Sequence, residues 1–142
     1  VEHVNTDLIE VLLANGFIPV IAPTGVGSSG ETYNINADSV AGEIAGALKA
    51  EKLLVLTDVR GIYSDYRDEN SFISTLTFEK AQELIIRGKI DGGMIPKVRA
   101  CITALSGGAK KTHIIDGRVE HTILMEIFSD KGVGTEVVKE LR

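Results

Sequence analysis

The stretch "KLLVLTDVRGIY", Lys52 to Tyr63, decides the fold. Leu53 to Leu56 run without a polar residue, and a short unbroken apolar run that ends in Thr-Asp and a glycine is the pattern of a central strand in a parallel sheet. Thr57 and Asp58 fall where that strand emerges, and Gly61 lets the chain turn tightly. Asp58 is suited either to hydrogen-bonding a hydroxyl or amine of a bound nucleotide or simply to forming the turn.

Outward from this strand, helix-like and strand-like spacing alternate. Upstream, "VNTDLIEVLLANG" predicts a helix with Val4, Leu8, Val11 and Leu12 on its apolar side and Gly16 as its stop. "FIPVIAP" predicts a short buried strand, made irregular by Pro19, and "TGVGSSGETYN" a polar glycine-rich loop. "ADSVAGEIAGALKAE" predicts a helix with Val40, Ile44 and Leu48 on one face. Downstream, the polar turn region "RGIYSDYRDENS" precedes a helix, "TFEKAQELIIRGK", capped by Thr77 with Leu84 and Ile85 facing inward. "MIPKVRACITALSGG" aligns Met94, Val98, Cys101 and Leu105 on one stripe and ends at a glycine pair. "KTHIIDG" predicts a strand, "HTILMEIF" a helix and "GTEVV" a last strand. The alternation implies an α/β chain with an open, mainly parallel sheet covered by helices on both faces. Ligands then belong outside the carboxyl ends of the strands, where "TDVRG" and "IDGR" fall.

Bulk properties narrow the class. At 142 residues and 44 % hydrophobic content, the chain is the size of one domain able to bury roughly two-thirds of its unfolded surface. A net charge of -5 offers no broad basic surface, which disfavours nucleic-acid and anionic-membrane partners. The single cysteine, Cys101, cannot form an intramolecular disulfide, so a reducing cytoplasm is expected. His3, His113 and His121 are too scattered to suggest a metal site, and there is neither a membrane-length apolar run nor a signal-peptide pattern.

Three further segments carry candidate chemistry. In "YNINADS", Asn34, Asn36 and Asp38 open a helix; they either cap it or line a polar site in which Asp38 holds cationic groups. In "IDGGMIPKV", Gly92 and Gly93 allow the backbone to approach a phosphate, and Lys97 follows near the first turn of a helix, where it adds a mobile positive charge. A plain glycine turn with a solvated lysine is the alternative, and the segment is not a GxxxxGK[ST] loop. In "HIIDGRVEHTILMEIFSDKGVGTEVV", His113, Asp116, Arg118, His121 and Glu126 form either a charged, solvated edge or a pocket in which Glu126 meets a guanidinium or ammonium group.

Together "NINAD", "LLVLTDVRGIY", "DGGMIPKV" and "HIIDGRVEHTILMEIFSDKGVGT" closely resemble the N-acetylglutamate kinases of the amino-acid kinase family, from about Val4 to Val138. The resemblance implies ATP-dependent phosphorylation of the γ-carboxylate of N-acetyl-L-glutamate in arginine biosynthesis, with Mg²⁺ arriving on ATP. It implies that Asn34 and Asn36 bind acetylglutamate, that Asp38 orients catalytic lysines, and that Lys97 stabilises the transferring phosphoryl group. Thr57, Asp58, Gly61, Ile62, Gly92, Gly93 and Met94 match the nucleotide-binding segments. His113, Glu126 and Gly132 match positions at which arginine-sensitive members bind their feedback inhibitor. Residues 1–48 would then end an acetylglutamate-binding lobe, and residues 49–142 would form the ATP-binding lobe with the regulatory segment. The strand, lysine and Gly-Gly loop with which family members begin have no match, so the chain reads as a C-terminal fragment, inactive alone, of an enzyme expected to be homo-oligomeric. Glutamate 5-kinase, carbamate kinase and uridylate kinase share the layout but not the "HIIDGR…LMEIF" ending. A fragment that binds nucleotide or arginine without catalysis is the other reading.

Overall fold

A computed structural model of the chain describes residues 1–129 and 132–140. Asp130 and Lys131, within the C-terminal motif, lie outside the described residues.

The Lys52–Thr57 run forms the expected strand, β3 (Leu53–Thr57), and it pairs in parallel with β7 (Thr112–Asp116) from Leu53↔Thr112 to Thr57↔Asp116. β8 (Thr135–Val138) lies antiparallel beside β7 and parallel beside β6 (Thr75–Thr77), giving a four-stranded sheet in the order β3-β7-β8-β6. Two of its three pairings are parallel, so the sheet is mainly parallel as expected.

One face of this sheet carries α3 (Phe78–Ile86) and α4 (Met94–Gly107). Val55, Leu76, Ile114 and Val137 meet Leu84, Val98, Cys101 and Leu105 there in the main core. Side chains alternate along a strand, so His113 points to the opposite face, where it meets Glu126 of α5 (Thr122–Phe128). Helices therefore sit on both faces. Thr77 caps α3 as expected, its hydroxyl accepting from the Lys80 N–H, and Gly108 closes α4 at φ 120°. Cys101 is fully buried, and burial pushes its thiol up to about 12.

Several sequence expectations are corrected. The helix α1 (Asp7–Ala14) forms, but Leu8 and Val11 are exposed rather than buried. "FIPVIAP" is not a buried strand: it pairs with no strand among the described residues, and Ile18 and Val20 are 89 % and 97 % exposed. A strand exists only through a hydrogen-bonding neighbour, and Pro19 also removes a donor. The loop "TGVGSSGETYN" is in fact an antiparallel hairpin, β1 (Thr24–Val26) with β2 (Thr32–Asn34). The polar region after β3 likewise contains β4 (Ile62–Tyr63), which pairs with β5 (Phe72–Ile73).

The helix α2 (Ala37–Ala47) packs directly on α4, and the contact uses Gly42, Ala45 and Gly46 rather than the larger Val40, Ile44 and Leu48. A Cβ on Gly42 would lie 2.6 Å from the Ala100 carbonyl oxygen, and one on Gly107 would lie 2.7 Å from the Gly46 Cα. The two helices thus meet backbone to backbone and run in the same direction, with their N-termini at one end.

Candidate functional site

The α2–α4 contact places Asp38 and Lys97 side by side. Asp38 lies one turn before Gly42 on α2, and Lys97 one turn before Ala100 and Cys101 on α4, so both project from the shared seam. The Lys97 ammonium donates to both Asp38 oxygens, at 3.1 and 3.2 Å, and both side chains are mostly buried. Nothing local in either segment announces this pairing, because 59 residues separate them.

Lys97 also lines a cleft of about 450 Å³ with Thr57, Asp58, Gly61, Ile62, Gly93 and Met94. Gly92 stands at its edge in the turn that admits the chain into α4, at φ 47°, a conformation that favours glycine. Thr57 and Asp116 end their strands in register, and the Gly117 N–H donates to the Thr57 carbonyl at 2.8 Å, so the "TDVRG" and "IDGR" loops leave the sheet together. Gly61 is held against Thr135: a Cβ there would lie 2.6 Å from the Thr135 hydroxyl. That hydroxyl accepts from the Ile62 N–H at 2.8 Å and donates to the Ile73 carbonyl at 2.6 Å, fastening the β4–β5 hairpin to the sheet.

The start of α4 offers fewer free donors than a helix N-terminus ordinarily does. The Met94 N–H donates to the Asp91 carbonyl and the Ile95 N–H to the Gly92 carbonyl, and Pro96 has no N–H. Anion contact here falls to the Lys97 ammonium and to the N–H groups of Gly92 and Gly93, for which no acceptor is found among the described residues.

Sequence reasoning missed Tyr66, Lys89 and Asp91, which also line the cleft. Their signal is position: Asp91 immediately precedes the glycine pair, Lys89 lies two residues before Asp91, and Tyr66 is an aromatic residue in a polar loop. The structure does not gather Asn34 and Asn36 into this cleft. Both are exposed, and the Asn36 side chain caps α2 by accepting from the Ser39 N–H at 3.1 Å.

The C-terminal motif forms a separate cluster on the other face of the sheet. The Glu126 carboxylate is 2 % exposed; one oxygen accepts from Lys52 at 3.1 Å and lies 3.1 Å from His113 Nε2, and the other accepts from the Val133 N–H at 3.0 Å. His113, Glu126 and Gly132 do line one cavity, of about 430 Å³, with Lys52, Lys111 and Glu136. Burial holds the His113 imidazole below its ordinary pKa, against the pull of Glu126, and its Nδ1 has no hydrogen-bond partner among the described residues. Asp116 instead pairs bidentately with Arg118, at 2.8 and 2.9 Å, which holds its carboxyl at about 2. Among the described residues no three His, Cys, Asp or Glu side chains are grouped as metal ligands, and no helix is long and apolar enough to cross a membrane.

A mainly parallel α/β sheet thus carries, outside its strand ends, a glycine-lined cleft whose Lys97 is paired with Asp38. The model of the amino acid kinase family matches residues 1–116, and the chain belongs to that family. It is 62 % identical over 138 residues to the acetylglutamate kinase of Moorella thermoacetica, covering 97 % of this chain and 47 % of that protein. The acetylglutamate kinase of Symbiobacterium thermophilum is 55 % identical, with 98 % of this chain and 47 % of that protein covered. The chain thus spans about half the length of the curated relatives it matches. Among solved structures, N-acetylglutamate synthase from Neisseria gonorrhoeae, complexed with coenzyme A and N-acetyl-glutamate, superposes with a TM-score of 0.85 at 28 % identity, covering 99 % of this chain and 32 % of that one.

Proposed function

We propose that this chain is the ATP-binding portion of an enzyme that phosphorylates the γ-carboxylate of N-acetyl-L-glutamate. The observation that carries the reading is the Asp38–Lys97 pair, whose lysine lines a cleft with Thr57, Asp58, Gly61 and Gly93. In this reaction a carboxylate oxygen of acetylglutamate attacks the γ-phosphorus of ATP, and the bond to the bridging oxygen breaks with its electron pair leaving on ADP. Catalysis of such a transfer is largely positioning and charge stabilisation. Lys97 supplies positive charge to the transferring group, and Asp38 holds that ammonium in place. No general base is required, because the acceptor is already ionised. Mg²⁺ carried by ATP would neutralise part of the charge on its phosphates. Asn34 and Asn36, at the start of α2, are assigned to acetylglutamate, and residues 49–142 to the nucleotide lobe. The intact enzyme is assigned to the cytoplasm and to a homo-oligomer.

The test is kinetic, in the full-length protein. Lys97→Ala is expected to lower kcat for acetylglutamate phosphorylation more than tenfold, a loss exceeding roughly 1.4 kcal/mol of barrier stabilisation. A smaller loss removes Lys97 from the mechanism, and turnover of glutamate, carbamate or UMP in preference to acetylglutamate would reassign the acceptor.

The second cavity supports feedback inhibition by arginine. Its carboxylates Glu126 and Glu136 suit a guanidinium, although Glu126 is already bound by Lys52, His113 and Val133, so the inhibitor must displace or join those contacts. A thermal shift with L-arginine and none with citrulline supports this site; equal shifts count against it.

A further inference from the structure

The larger cleft has a chemical polarity that its phosphate end alone does not explain. Lys97, Gly93 and Thr57 line only this cleft, whereas Tyr66, Lys89 and Asp91 line both it and an adjoining cavity of about 200 Å³. Tyr66 therefore stands as a partition at the end where the two cavities meet. Its neighbours define which ring is free. Tyr63 is engaged edge-to-face with Phe72, at 5.5 Å between centroids, and the Phe72 ring is itself covered by Arg60 at 4.3 Å. Tyr66 has no aromatic partner among the described residues and is 75 % exposed. The Arg67 guanidinium lies over the Tyr66 ring at 5.5 Å, and its Nε donates to the Tyr66 hydroxyl at 3.3 Å. Arg67 lines only the smaller cavity, so it backs the ring from that side and leaves the side toward the larger cleft open.

We propose that Tyr66 is the platform on which the base of a bound nucleoside triphosphate stacks, with the phosphates directed to Lys97 and Arg67 steadying the ring from behind. The inference rests on the nucleotide reading of the cleft given above and adds the residue that recognises the base. An aromatic ring backed by a cation is suited to a flat π-system, and base–aromatic contacts of this kind are commonly worth about five- to a hundredfold in affinity on truncation to alanine. Lys89 and Asp91 at the same rim offer a donor and an acceptor to the edge of the base.

The experiment is a binding titration of the full-length protein with MgATP and, in parallel, with magnesium tripolyphosphate, which has the phosphates but no base. Tyr66→Ala is expected to weaken ATP about tenfold while changing tripolyphosphate affinity less than twofold, and Tyr66→Phe is expected to restore ATP binding. Tyr66→Trp gives a spectroscopic reading: this chain has no tryptophan, and emission added by the substitution should be quenched on adding ATP but not tripolyphosphate. Unchanged ATP affinity in Tyr66→Ala, or equal loss for both ligands, overturns the stacking role while leaving the nucleotide site intact. Failure of the unsubstituted protein to bind ATP at all overturns both.

Discussion

Glu126 holds its charge in a nearly closed setting. Burial raises its pKa, but the Val133 N–H, the Lys52 ammonium and His113 outweigh that and leave it below 4.5. His113 shows the opposite balance: burial and the Lys52 and Lys111 charges outweigh Glu126 and Glu136 and leave it below 6.5. The sign of the pH response follows. The unfolded chain takes up a proton on His113 before the folded chain does, so stability falls as pH drops below about 6.5. Glu126 adds a second loss as pH falls below about 4.5 and through its lower folded value. The urea midpoint should decline from pH 7.5 to 5.5, and His113→Gln should flatten that interval while leaving the steeper loss below pH 4.5. A midpoint that rises toward pH 5.5 would contradict this balance. Glu126 was legible in the sequence as a carboxylate in a polar motif, but its partner Lys52 was not. Lys52 lies 74 residues upstream and arrives only through the parallel pairing of β3 with β7.

Among the elements, α2 shows how apolar periodicity can point to the wrong face. Val40, Ile44 and Leu48 form the stripe that hydropathy detects, yet Gly42, Ala45 and Gly46 make the buried contact. Small residues carry little hydropathy signal, and their value here is the close approach they permit. An exposed helical Gly→Ala change stabilises by roughly 0.5–1 kcal/mol. At Gly42 the sign should reverse, because the added methyl meets the Ala100 backbone and cannot be relieved by turning a side chain. Gly42→Ala is expected to destabilise by about 1–3 kcal/mol, read as a lower urea midpoint at unchanged slope. A neutral or stabilising result would mean that the α2–α4 seam is looser than described. The strand reading of "FIPVIAP" failed for a related reason, since its composition is right but no strand among the described residues lies beside it to complete the hydrogen bonds.

In the molecule as a whole, the alternating elements, the mainly parallel sheet and the placing of the "TDVRG" loop at a strand end were all readable from the order of apolar runs. The three-dimensional meeting of Asp38, Lys97 and the glycine turn was not, because it depends on the α2–α4 seam. Only the resemblance to acetylglutamate kinases drew those residues together at the sequence level. This meeting point is the proposed ATP site. Hydrogen–deuterium exchange of the full-length protein with and without MgATP tests it most directly. Protection concentrated in residues 57–63 and 91–97 is the predicted result. Unchanged exchange in those segments at saturating nucleotide, with protection instead around His113 and Glu126, would contradict it.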